Sequence, residues 1–135
     1  MFKKNKEQVV DINQQEISTL IGEGYIFTGE LKGSSVVRIE GRIIGNVNVE
    51  GGVILGEKGI IDGNIVTNSA IIFGTVNGNL QVIQLEIKKT GHVNGDIATD
   101  TIEIEMGAQY NGKLQMQKQK QPAITRDVEL LAEAS

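Results

Sequence analysis

The 135-residue sequence has no cysteine, no tryptophan and a single proline, Pro122, and its aromatic residues are three Phe and two Tyr. Without cysteine there is no disulfide framework, zinc ribbon or thiol nucleophile. One histidine, His92, excludes a site that needs two or three imidazoles from one chain. Cationic excess is missing as well. Against 17 acidic residues stand 13 basic ones, a formal charge of −4, which lacks the footprint of a duplex binder, so no nucleic-acid partner is expected. No run approaches the ~20 apolar residues of a membrane span. The start, Met1-Phe2-Lys3-Lys4-Asn5-Lys6, continues into polar residues instead of the apolar segment of a signal peptide. These absences point to a cytosolic protein, and the length to one domain.

What the sequence has in plenty is glycine. All 17 glycines fall between Gly22 and Gly112, and Pro122 lies outside that interval. Composition therefore divides the chain into a tail over 1–18, a middle over 19–116 and a second tail over 117–135. Each tail has balanced charge and too few apolar residues to offset the entropy of ordering. Both are expected to be disordered, with 127–134 at most a short, marginal helix.

Within the middle the glycines recur. Gly41-Arg42-Ile43-Ile44-Gly45-Asn46-Val47, Gly59-Ile60-Ile61-Asp62-Gly63-Asn64-Ile65, Gly74-Thr75-Val76-Asn77-Gly78-Asn79-Leu80 and Gly91-His92-Val93-Asn94-Gly95-Asp96-Ile97 are near-copies, with longer versions ending at Gly29 and Gly112. The second glycines, at 29, 45, 63, 78, 95 and 112, are 16, 18, 15, 17 and 17 residues apart, a repeat of about 17. Apolar residues alternate in short runs such as Val47-Asn48-Val49 and Leu85-Glu86-Ile87, so the units are strands rich in β-branched side chains. Seventeen residues at ~3.3 Å each suffice for three sides of roughly five residues. The expected fold is all-β, a single-domain triangular parallel β-helix of about six coils. Glycine marks a corner of each coil, flanked by Asn and Asp that tolerate turn geometry. Two core columns follow: Phe27, Ile43, Ile61, Val76, Val93 and Tyr110, and Leu31, Val47, Ile65, Leu80, Ile97 and Leu114.

Chemistry is sparse. Small β-helical acyltransferases and anhydrases use a histidine base or three histidine ligands, whereas His92 beside a corner glycine reads as a solvated turn residue. An enzyme or ligand-binding oligomer of that type is the alternative reading. Gly22-Glu23-Gly24 and Gly51-Gly52 lack the Gly-Lys-Ser/Thr and helix of a phosphate loop and read as corners. Glu103 and Glu105 alternate with Ile102 and Ile104 and read as a solvated strand face. No catalytic residue, cofactor or metal is expected.

Two features stand above this background. A parallel β-helix leaves unpaired strand edges at both ends, and no capping helix or loop is evident. The terminal residues Leu20, Phe27 and Leu31 at one end, and Tyr110, Leu114 and Met116 at the other, either plug the core or offer a surface on which a second copy stacks into a polymer. The second feature is Met1, Phe2, Lys3, Lys4 and Lys6. An apolar residue among cations suits an anionic membrane surface at ~1 kcal/mol per cation, and polymerisation would make that weak anchor avid.

The opening Thr19-Leu20-Ile21-Gly22-Glu23-Gly24, then Gly29-Glu30-Leu31, then Val37-Arg38-Ile39-Glu40-Gly41-Arg42-Ile43-Ile44-Gly45-Asn46-Val47, and the glycine units onward to Leu114, resemble the bactofilins, a bacterial cytoskeletal family. The resemblance implies a right-handed β-helix that polymerises end to end, without nucleotide, into nonpolar filaments. It also implies association with the inner face of the cytoplasmic membrane through the Met1-Phe2 segment and its lysines. It further implies a scaffold role in cell shape, motility, polar organisation or the placement of cell-wall enzymes. The C-terminal tail departs from the proline-rich character common in that family.

Overall fold

The computed structural model describes residues 17–117, and within them the chain is a parallel β-solenoid of fifteen strands in two sheets. One face is a six-stranded sheet of three-residue strands: β2 (Ile26–Thr28), β5 (Arg42–Ile44), β8 (Ile60–Asp62), β10 (Thr75–Asn77), β12 (His92–Asn94) and β14 (Gln109–Asn111). Partners run parallel and in register, so Ile43 lies against Ile61, and Val76 against Val93. Each strand ends at a corner glycine. Gly95 has φ +145°, and a Cβ there would overlap the carbonyl oxygen of Gly78 in the coil before it. The corner thus requires glycine twice over, for its backbone region and for its close approach.

The second sheet wraps the other two faces. Face two begins with β3 (Leu31–Gly33) and β6 (Val47–Val49) and ends with β15 (Leu114–Met116). Face three begins with β1 (Ile17–Ile21), β4 (Val36–Ile39) and β7 (Gly52–Leu55). In between, β9 (Ile65–Ile72), β11 (Leu80–Ile87) and β13 (Ile97–Ile104) run through the corner and supply both faces. The sides are therefore shorter than the five residues expected, and this third corner shrinks to a bend within a strand.

The wandering repeat length has a local cause. After face three the chain reaches face one through either a two-residue link, as in Phe73-Gly74, or a four-residue turn, as in Gly56-Glu57-Lys58-Gly59 and Lys88-Lys89-Thr90-Gly91. The long links close as β-turns, with Gly59 N–H donating to Gly56 O at 2.9 Å and Gly91 N–H to Lys88 O at 2.7 Å. Inward side chains stay aligned because the extra residues loop outward at the corner.

The core is aliphatic. Ile39, Ile43, Leu55, Ile61, Ile65, Ile72, Ile87 and Val93 are all buried within one continuous cluster. Two buried threonines enter it with their hydroxyls satisfied. Thr99 Oγ1 donates to Thr101 O at 2.9 Å and approaches Ile83 O at 3.2 Å, and Thr67 Oγ1 reaches Ser69 O at 3.4 Å. Hydroxyls bonded to corner carbonyls avoid the penalty of an unpaired buried polar group.

Candidate assembly surfaces

The ends of the solenoid differ from its middle along the same columns. From Leu31, which is half-buried, one column continues through Val47, Ile65, Leu80 and Ile97, all buried, to Leu114, which is 42% exposed. The other expected column begins at a half-buried Phe27, passes through fully buried Ile43, Ile61, Val76 and Val93, and ends at a half-buried Tyr110. Phe27, Leu31 and Tyr110 pack on the core cluster from its two ends. Leu31 is of the same type as its column neighbours, whereas Phe27 and Tyr110 are the aromatic ends of an otherwise aliphatic column. They are exposed because the next coil is missing.

Four of the expected end residues thus sit where the core opens: Phe27 and Leu31 at the N-terminal end, Tyr110 and Leu114 at the C-terminal end. Met116 joins the latter two, since it pairs with buried Thr99 in an inward column. Leu20 is placed differently. It is in register with Arg38 on the outer surface of face three, while its neighbour Ile21 pairs with Ile39 and packs on the core. The N-terminal end is therefore Ile21, Phe27 and Leu31. The C-terminal end also includes Ile102, Ile104 and Ala108, which the glycine spacing did not single out. Ile104 extends the column Ile39, Leu55, Ile72 and Ile87, a signal visible in the sequence only once the variable links have been aligned.

Tyr110 places a hydroxyl at the C-terminal end of its core column. Its hydroxyl is buried and makes no well-formed hydrogen bond among the described residues, although the Ile97 backbone lies near enough to oppose the rise in its pKa. Burial first, and then the charge of Asp96, push its pKa above the usual value.

The residues weighed for chemistry do not converge. His92 stands on strand β12 between Thr75 and Gln109, facing outward, which corrects its expected place in a turn. Glu103 lies on β13, whereas Glu105 follows it in the four-residue link, accepting the Lys89 N–H at 2.9 Å. Gly22-Glu23-Gly24 opens another such link, closed by Tyr25 N–H to Gly22 O at 3.2 Å. Among the described residues no group of three His, Cys, Asp or Glu is arranged to hold a metal, and no helix is long and apolar enough to cross a membrane. Met1, Phe2, Lys3, Lys4 and Lys6 lie outside the described residues, as does the short helix expected over 127–134.

Comparison with known proteins bears on this end geometry. The family model described as "Bactofilin: Polymer-forming cytoskeletal" matches residues 19–115. The chain is similar to Bactofilin BacO of Myxococcus xanthus (strain DK1622), with 29% identity over 100 residues that cover 73% of this chain and 79% of that protein. It is also 27% identical over 100 residues to Bactofilin BacP of the same organism, covering 73% of this chain and 42% of the relative. The chain thus spans less than half the length of BacP. Among solved structures, a cryo-EM reconstruction of Thermus thermophilus bactofilin double helical filaments superimposes with a TM-score of 0.71. Its sequence identity is 28%, and the match covers 73% of this chain and 99% of that one.

Proposed function

The chain belongs to the bactofilins, a family of polymer-forming cytoskeletal proteins and not of enzymes, and from that premise we propose that it stacks end to end, without nucleotide, into nonpolar filaments at the inner face of the cytoplasmic membrane. The observation that carries the stacking is the Leu31 to Leu114 column, buried in every middle coil and open at the last. Fully burying a leucine, phenylalanine or methionine side chain contributes about 1.5–3 kcal/mol. Several such residues at each end give a second copy a strong reason to bind, and the strand edges beside them supply hydrogen bonds. A contact that uses both ends of every copy extends without closing.

The membrane part of the proposal rests on Met1, Phe2, Lys3, Lys4 and Lys6. A single copy of this segment binds weakly, and a row of copies along a filament binds avidly. On such a surface the filament would serve as a scaffold for client proteins in cell shape, motility or polar organisation, including the placement of cell-wall enzymes.

Electron microscopy of the purified protein, with no nucleotide or metal added, tests the filament. Filaments are expected across salt conditions, and only monomers or closed oligomers would overturn the reading. Co-sedimentation with anionic vesicles tests the anchor separately. Deleting residues 1–6 is expected to abolish binding while sparing filaments, and undiminished sedimentation would remove the membrane claim.

A further inference from the structure

The chain contains three Asn-Gly pairs, Asn77-Gly78, Asn94-Gly95 and Asn111-Gly112, all at the same glycine corner of successive coils. An asparagine followed by glycine cyclises readily, because glycine has no side chain to hinder attack by its own nitrogen on the asparagine Cγ. The three pairs share that dipeptide and differ in how the coils hold them.

Two restraints oppose ring closure, and the first acts on the nucleophile. Gly78 N–H donates to Asn94 O at 2.9 Å, and Gly95 N–H to Asn111 O at 2.8 Å, so each of these nitrogens is fixed by the coil that follows. Gly112 has the same backbone, with φ +151° against +145° at Gly95. Its N–H therefore points off the end of the rod, where no acceptor meets it among the described residues. The second restraint acts on the electrophile. Asn77 is tied at both atoms of its amide, donating to Asp62 Oδ1 at 2.9 Å and accepting from Asn94 Nδ2 at 2.9 Å. Asn94 is tied likewise, through Asn77 and Asn111. Asn111 keeps one such bond, Nδ2 to Asn94 Oδ1 at 3.2 Å, and its Oδ1 meets no donor among the described residues. Its strand β14 is an edge, paired with β12 on one side only, and both Asn111 and Gly112 are exposed. An edge strand opens locally at lower cost than a strand paired on both sides.

We propose that Asn111-Gly112 is a self-modification site, open while the C-terminal end of the rod is free and closed once a second copy covers it. The Gly112 nitrogen gives up its proton and bonds to Asn111 Cγ; the Cγ–Nδ2 bond breaks, and ammonia leaves with that proton. Water then opens the succinimide at either carbonyl, giving aspartate or isoaspartate. No oxidant or reductant takes part. Isoaspartate adds a methylene to the backbone just ahead of β15, so Leu114 and Met116 shift out of register with Ile97 and Thr99. Either product adds a negative charge beside the open end of the core. A subunit that stays unassembled is thereby retired from assembly. The closing and retiring steps rest on end-to-end stacking, whereas the reactivity of the free end does not.

Peptide mapping by mass spectrometry, with isoaspartate methyltransferase labelling, reads all three sites in one molecule. The full-length chain carrying Leu114→Arg, which leaves the C-terminal end uncovered, is aged at mildly alkaline pH below any concentration at which it sediments, both folded and in urea. In urea the three asparagines should react at similar rates. In the folded chain, each rate taken relative to urea, Asn111 should react at least ~10-fold faster than Asn77 and Asn94. Equal protection of the three overturns the proposal whether or not the parent chain forms filaments. The parent is then aged as sedimented filaments, in which Asn111 should react at least ~10-fold more slowly than in the Leu114→Arg chain. Undiminished reaction within filaments overturns the closing step. When aged parent protein is dissociated and reassembled, isoaspartate at this position should collect in the supernatant, and equal partition with the pellet overturns the retirement.

Discussion

The side-chain Oδ1 of Asn79 accepts the backbone N–H of Asp96 in the following coil at 3.0 Å. The same bond joins Asn46 to Asn64 and Asn64 to Asn79 at 3.0 Å, and Asp96 to Lys113 at 3.1 Å. A second ladder runs beside it, in which Asn94 Nδ2 donates to Asn77 Oδ1 at 2.9 Å and Asn111 Nδ2 to Asn94 Oδ1 at 3.2 Å. The glycine corner is thus stitched by side chains as well as by backbone. The first ladder stops at Lys113, whose ammonium group has no acceptor to offer another coil.

Asn79→Ala removes one rung and leaves the Asp96 N–H to water. Because the corner is exposed, the cost should be about 0.5–1 kcal/mol, at the lower end for a lost hydrogen bond. Asn79→Asp keeps the acceptor and should cost less. Denaturant midpoints of the two variants check the order, and filaments are expected from both.

Gly95→Ala should be far more damaging. The added Cβ meets the carbonyl of Gly78, a backbone atom fixed by its own ladder, at a φ of +145° that alanine rarely adopts. Strained backbone and overpacking together should cost about 3 kcal/mol or more, a large part of a typical domain's stability. Gly33 has open space where a Cβ would go and no left-handed φ, so Gly33→Ala should stay within about 0.5 kcal/mol of the parent. Thermal unfolding of the pair separates a corner requirement from a general loss of glycine.

Much of this was legible because the glycine corner imposes a fixed phase on its neighbours. The residues two before and two after it had to point inward, and eight of those twelve, all except the terminal Phe27, Leu31, Tyr110 and Leu114, are buried in the core, which needs no further information once the spacing is known to mark a corner. The phase is lost further along each coil. Links of two or four residues shift face three relative to the glycine, so the column from Ile39 to Ile104 could not be aligned by counting. Leu20 was misplaced for the same reason: in Thr19-Leu20-Ile21, only pairing with Arg38 reveals that the middle residue faces outward. Alternation also fails at Val53-Ile54-Leu55 and Ala70-Ile71-Ile72, where inner and outer residues are equally apolar and all are buried.

Asp62 gives the corner a pH dependence. Its carboxylate accepts the Asn77 amide at 2.9 Å and the Arg42 guanidinium, with Nε at 2.8 Å and Nη2 at 2.6 Å, and these hold its pKa below the ordinary 3.8, the Asn77 bond most of all. The unfolded chain therefore takes up the proton first. The stabilisation is complete above pH 3.8 and is lost as pH falls through the lowered folded value. Arg42 is about half-exposed, so the ion pair should contribute less than about 1 kcal/mol. Asp62→Asn should be slightly less stable than the parent near neutrality and converge with it in strong acid. Urea midpoints measured across that range check the sign, and a gap that widens on acidification would contradict it.

The two ends of the rod can be tested against each other. Phe27→Arg puts a charge where the core opens at the N-terminal end, and Leu114→Arg does so at the C-terminal end. In the isolated chain either arginine can turn its head to water, because the position is already partly exposed, and the solenoid should keep its β-rich circular dichroism. In a stacked joint the same group would be trapped without a partner, which costs several kcal/mol. Each variant should therefore raise the protein concentration needed for assembly by on the order of 100-fold or more, since about 2.7 kcal/mol corresponds to that factor. If filaments join like end to like end, a mixture of the two variants should stop at pairs, because each retains one sound end. If unlike ends meet, the sound N-terminal end of one variant can join the sound C-terminal end of the other, and the mixture should again stop at pairs, but only mixed ones. Mass photometry of each variant alone distinguishes the arrangements: like-to-like joining gives dimers from a single variant, whereas head-to-tail joining gives monomers. Normal filaments from both variants would refute the placement of the joint at these residues.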